Sequence, residues 1–374
     1  MTRAPIKPTA GRSPLALDLA ALWQGFVTPS PFAFCGMMAI FVAVAVAIFA
    51  GLTPQRISGP LGVYLPRSAR DHEAFATREA IRLSLPPAAG EPEQRVYVIS
   101  DSVLAHAFAS DTRLAAAIAA ASGRPTRVGF LATPLQGPID QAALADVATR
   151  SRPGVVVLGL AFDEFAVVPS HLLELDHLGR LGVRSDWADA DIRSLGGTPR
   201  PLTGNYVIDN RNFVLRNLRV TLGRAALGRP ALRRIDDYLP PPPVDPAYAG
   251  KVRAVMLSRL RTLPTADTAG VVILTDTVHR LQARGNRVML VEAPLSARLL
   301  DDPADQRRYA TYLTWSAALS RSLGTGYCRL ADHYAPPPSA FPDLIHIVDP
   351  AAQAQLRQAL ATCITALPPT GRPA

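Results

Sequence analysis

The chain has 374 residues, 48% of them hydrophobic, and carries 39 Lys and Arg against 30 Asp and Glu for a net charge of +9. That length, with a mean hydropathy of +0.14, supports one substantial buried core and excludes a disordered chain. Lysine occurs only at Lys7 and Lys251, so the positive charge is arginine. No basic run is interleaved with aromatics, which points away from a nucleic-acid partner and leaves a mild attraction to anionic lipid or acidic polysaccharide.

Residues 1–31 read as a cytoplasmic tail containing Arg3, Lys7 and Arg12, with an interfacial helix over 15–23. Residues 32–52 carry no charge, and this length suffices for a bilayer core of about 30 Å at 1.5 Å per residue. A cleaved leader has an apolar region of only about 7 to 15 residues, so an uncleaved transmembrane anchor is expected, with cleavage near Ala43, Ala45 and Ala47 the alternative. Arg3, Lys7 and Arg12 face Arg56, Arg67 and Arg70 across the span. These charges alone leave the orientation open; the anchored members of the superfamily resembled below imply an N-terminus inside, with a single pass through a bacterial inner membrane and the C-terminal part in the periplasm. Residues 53–93 read as a proline-rich linker around one helical piece at 69–83.

The soluble domain is expected over 94–367, with a short tail at 368–374. Arg95-Val96-Tyr97-Val98-Ile99 is a β-branched apolar run that stops at Ser100-Asp101-Ser102 and passes into a helical segment. A serine in such a turn sits outside a strand's carboxyl end, facing free N–H groups at a helix start. The same residues also suit a simple helix cap. Ser110-Asp111 caps a second helix ended by Gly123, a strand follows over 127–131, and Thr133 to Pro138 forms the next loop. Residues 154–160 are a continuous apolar strand, of the kind buried on both faces in parallel sheets.

Residues 166–265 read as an insertion. Within it, His171, Asp176 and His177 lack a further ligand set for a metal. A basic helix over 205–227 carries Arg211, Arg216, Arg219 and Arg224, and 240–243 is a polyproline spacer. Helices over 266–284 and 305–323 alternate with strands at 287–291 and 327–330, and the final helix carries Leu356, Leu360, Ile364 and Leu367 at helical spacing. Strands alternating with helices imply a parallel sheet covered on both faces. Its carboxyl ends would gather Ser102, Gly137, Asp163, Pro294 and His346 around one crevice. Cys328 and Cys363 either pair or remain two separately buried thiols.

Pro342 and Pro350 bracket a loop holding Asp343 and His346. There the carboxylate can fix the imidazole's tautomer and leave its other nitrogen as a base, or merely satisfy a structural histidine. Together, Ser100-Asp101-Ser102 and Asp343-Leu344-Ile345-His346 resemble the SGNH, or GDSL-like, hydrolase superfamily over 94–367. The resemblance implies a three-layer α/β/α, flavodoxin-like domain with a mainly parallel sheet. It also implies Ser102 as nucleophile, His346 as base, Asp343 as its orienter, and the N–H groups of Ser102 and Gly137 as oxyanion donors. Asp101, Asp163 and Pro294 are expected to line the site. Neither a cofactor nor a metal is expected.

Two departures stand out. No glycine precedes Asp101, and the family's Gly-x-Asn-Asp block is replaced by Gly159-Leu160-Ala161-Phe162-Asp163, without the oxyanion-binding asparagine. The same departure resembles a membrane-anchored subgroup that includes alginate O-acetylation accessory proteins and the D-alanine transfer protein of teichoic-acid synthesis. That subgroup implies a serine O-acyltransferase moving an acyl group, acetyl in the first instance, onto an exopolysaccharide or envelope polymer beside a polytopic membrane-bound O-acyltransferase. The alternatives are a carbohydrate esterase or deacetylase, and an inactive binding or scaffold component of polysaccharide export.

Overall fold

Five apolar runs become strands because helical segments between them return the chain to the same edge of one sheet. In the computed structural model these are β1 (Gln94–Ser100), β2 (Thr126–Ala132), β3 (Val155–Leu160), β4 (Arg287–Glu292) and β5 (Gly326–Arg329). All pairings are parallel and the order is β2-β1-β3-β4-β5. That is the doubly wound order whose switch point lies between the first and third strands, where ligands bind outside the carboxyl ends. The structure describes residues 30–51, 53, 71–87, 89–92, 94–165, 181–215, 245–262 and 268–368. The expected interfacial helix at 15–23, the cluster His171, Asp176 and His177, the basic positions Arg216, Arg219 and Arg224, and the spacer at 240–243 lie outside these residues.

The chain divides into two units, Met1–Leu52 and Thr53–Ala374. In the first, the uncharged run forms helix α1 (Pro31–Gly51), with Phe32, Ile40 and Phe41 exposed. The expected transmembrane anchor is corrected here: among the described residues, no helix is long and apolar enough to cross a membrane. The single-pass placement and the periplasmic localisation depended on that anchor and fall with it.

In the second unit, helix α2 (Asp71–Ser84) occupies the segment expected as linker. Its Ala76, Ala80 and Leu83 are buried in the main core beside Tyr97 and Ile99 of β1. The packed structure therefore starts upstream of β1. After β1 come α3 (Ser102–Phe108) and α4 (Asp111–Ser122), and after β2 comes α5 (Pro138–Ala148). A single turn, α6 (Phe162–Phe165), follows β3. The insertion contributes α7 (Asp186–Ser194), α8 (Tyr206–Asp209) and α9 (Pro246–Leu260). Further along come α10 (Ala269–Ala283), α11 (Pro303–Ser322) and α12 (Pro350–Ala366).

Alternation along β1 turns Tyr97 and Ile99 toward α2, α5 and α10, and Val96 and Val98 toward the opposite face. Helix α12 packs against α3 and α4. Leu356, Leu360 and Ile364 of α12 are buried. Cys328 at β5 and Cys363 on α12 are disulfide-bonded, with Cα atoms 6.0 Å apart and a sequence separation of 35. A loop of that length gives a cross-link worth about 3–4 kcal/mol through restriction of the unfolded chain. Reduction is therefore expected to lower the unfolding free energy by about that amount, read as a lower urea midpoint with a steeper slope as the unfolded chain expands.

Candidate active site

Asp101 follows β1 and caps α3: its Oδ1 accepts from the backbone N–H of Val103 at 2.9 Å and of Leu104 at 3.4 Å. The cap uses the second and third amides of the turn and leaves the Ser102 N–H uncommitted. Ser102 thus occupies the first helical position, at the carboxyl end of a central strand. Gly159 of β3 allows this placement. A Cβ there would lie 2.6 Å from Cβ of Ser100 and 2.9 Å from Leu104, so only glycine lets β3 pass this close to the turn carrying the nucleophile.

The second half of the site comes from the loop before α12. Leu344, between Asp343 and His346, has φ +79°, a conformation that costs a non-glycine residue on the order of 1–3 kcal/mol. The resulting bend lets Asp343 Oδ1 accept from His346 N at 2.9 Å and Ile345 N at 3.3 Å. The Leu344 carbonyl in turn accepts from Ser296 N at 3.0 Å, which fastens the loop to the segment after β4.

These two pieces meet across the sheet edge. Ser102 Oγ lies 3.0 Å from His346 Nε2, and His346 Nδ1 lies 2.6 Å from Asp343 Oδ2. Asp343 is fully buried. Burial alone would raise its pKa, but hydrogen bonding with His346 and the loop amides outweighs it and holds the carboxyl below its usual range. An ionised Asp343 can only accept, so the imidazole proton sits on Nδ1, and Nε2 is left to accept from the Ser102 hydroxyl. His106 meets the His346 ring edge-on, with centroids 4.8 Å apart. Burial, then repulsion by His346, pushes His106 down to about 3. It stays neutral and adds no competing charge.

Helix α12 ties the halves together. The Gln353 side-chain amide donates to the carbonyl of His106 on α3 at 2.9 Å and to that of Ile347, beside His346, at 3.0 Å. Arg357 donates to the Phe108 carbonyl at 2.8 Å. Gln353→Leu leaves both carbonyls unpaired, each at a cost of about 1–3 kcal/mol. It is expected to lower turnover about tenfold through loosened Ser102–His346 registry, with KM little changed, in steady-state kinetics.

The site opens onto a cavity of about 450 Å³ lined by Asp101, Ser102, Gly137, Asp163 and His346 from the expected set. Gly137 ends the loop after β2 and precedes α5, at φ −84°. Among the described residues neither its N–H nor that of Ser102 donates to another protein group, so both are available to an oxyanion. Pro294, two residues beyond β4, is buried but does not line the cavity. Its segment turns beneath the Asp343–His346 loop instead. The block where an asparagine was sought forms α6, whose Phe162 packs into an aromatic cluster with Tyr309 and Tyr312. Asp163 turns to the cavity: its Oδ2 accepts from Arg259 Nη1 at 2.8 Å, while its buried Oδ1 has no partner among the described residues. Burial raises the Asp163 pKa against the pull of Arg259, and burial, then Asp163, pushes Asp101 up to about 6.

The remaining wall was not anticipated. Helix α9 contributes Tyr248, Lys251, Val252, Val255, Met256 and Arg259, and the loop after β2 contributes Leu135. Positions 248, 252, 255, 256 and 259 follow helical spacing behind an Asp245-Pro246 cap, which was the available signal.

No family model matches the chain, and no curated protein matches it. Among solved structures it is similar to that of an inferred acylhydrolase from Bacteroides fragilis NCTC 9343, at 11% identity and a TM-score of 0.34, covering 77% of this chain and 95% of that one. A likeness of that degree bears on neither substrate nor reaction.

Proposed function

We propose that the protein is a serine-dependent acyl-ester enzyme, acting as an esterase or as an acyltransferase onto a hydroxyl such as that of a glycan. One observation carries the reading: Ser102, His346 and Asp343, drawn from opposite ends of the chain, form a continuous relay at 3.0 and 2.6 Å that opens onto a cavity. Two independently buried residues and a helix cap would not need that alignment.

Ser102 Oγ attacks the acyl carbonyl carbon as its proton passes to His346 Nε2, while Asp343 stabilises the imidazolium. The N–H groups of Ser102 and Gly137 hold the oxyanion. Collapse breaks the ester C–O bond, and His346 returns the proton to the departing alcohol. Water or an acceptor hydroxyl then gives a proton to His346 and attacks the acyl-serine, which restores Ser102–OH. The missing asparagine favours a second reading, a non-catalytic binding domain. Release of p-nitrophenol from p-nitrophenyl esters separates the two: turnover is expected, and Ser102→Ala should reduce it to the solution background. Equal rates for both proteins would support binding without chemistry.

A further inference from the structure

The cavity beside Ser102 is large for an acetyl group. Of its volume of about 450 Å³, an acetyl group would displace only a few waters at roughly 30 Å³ each. Two of its apolar residues remain open to solvent: Leu135 is 66% and Val255 49% exposed, whereas neighbouring Met256 is 7% exposed. Leu135 is also held at φ +52°, in the left-handed region that a plain turn fills with glycine. A leucine kept there presents an apolar side chain beside the nucleophile. The polar side chains on the same cavity include Lys251, which makes no hydrogen bond or ion pair among the described residues, and Asp163, with its unpartnered Oδ1.

Building on the acyl-ester reading above, we propose that the substrates are esters of medium-chain acyl groups, about six to ten carbons long. The chain lies on Leu135 and Val255, and the hydroxyl-bearing alcohol portion meets Asp163 and Lys251. Each methylene moved from water onto such a wall favours a longer chain by roughly threefold to fourfold.

The full chain is assayed with p-nitrophenyl acetate, butyrate and octanoate, and in parallel with a fluorophosphonate that reports on Ser102. The expected kcat/KM for octanoate exceeds that for acetate by at least about tenfold. Leu135→Gly, which relieves the backbone and so folds readily, and Val255→Asp, which puts charge on the wall, should each lower the octanoate-to-acetate ratio about fivefold or more. Fluorophosphonate labelling with a preference for acetate, or with a ratio unmoved by both variants, overturns the chain-length proposal and leaves the serine enzyme standing. Absence of labelling and of turnover overturns both.

Discussion

Asp343→Asn is expected to cut ester turnover by about 10³- to 10⁴-fold while the fold stays intact. Asp343 is fully buried and accepts a hydrogen bond from His346 Nδ1 at 2.6 Å. Asparagine keeps an oxygen for the amides of Ile345 and His346, which Asp343 Oδ1 holds now, so the strained loop at Leu344 survives. The other end of the side chain changes from acceptor to NH₂ donor. Facing a donor, the imidazole takes the opposite tautomer, with its proton on Nε2, and Ser102 Oγ then meets an N–H instead of a base. The loss should fall on kcat, with KM and the far-ultraviolet circular dichroism little changed. An equal loss in Asp343→Asn and in thermal stability would instead assign Asp343 a structural role.

Gly137→Pro is expected to lower kcat by about 10²- to 10³-fold, the usual effect of one oxyanion donor. Proline suits the position because φ is already −84°, near the ring's fixed value of about −65°, and because among the described residues this N–H donates to no protein group. The substitution therefore removes a hydrogen without removing a structural bond. Gly137→Ala retains the N–H and serves as control. If alanine and proline slowed the reaction equally, the loss would come from side-chain bulk in the cavity and not from the missing donor.

The sheet and the relay were legible because their signals are local. The β-branched run ending at Ser100-Asp101-Ser102 and the proline-bracketed Asp343 and His346 each report on their own backbone, and parallel strands separated by helices bring such loops to one edge. The wall from α9 was hidden for a different reason. Val255 and Arg259 sit in a long insertion whose return to the mouth of the site depends on tertiary packing, which no spacing encodes. Asp163 was found through its place after β3, yet its pairing with Arg259 could not be, since 96 residues separate them. Pro294 failed because the chain bends at once after β4 to support another loop. Uncharged length alone points to a membrane span at 32–52, yet no described helix is long and apolar enough to cross one.

The central claim is that Ser102 is a nucleophile activated by His346, and covalent labelling tests it most directly. The full chain would be treated with a fluorophosphonate and followed by intact mass and peptide mapping. One adduct on Ser102 is expected, absent in Ser102→Ala and formed at least about a hundredfold more slowly in His346→Ala. No adduct, or one on another serine that persists in Ser102→Ala, would contradict the account.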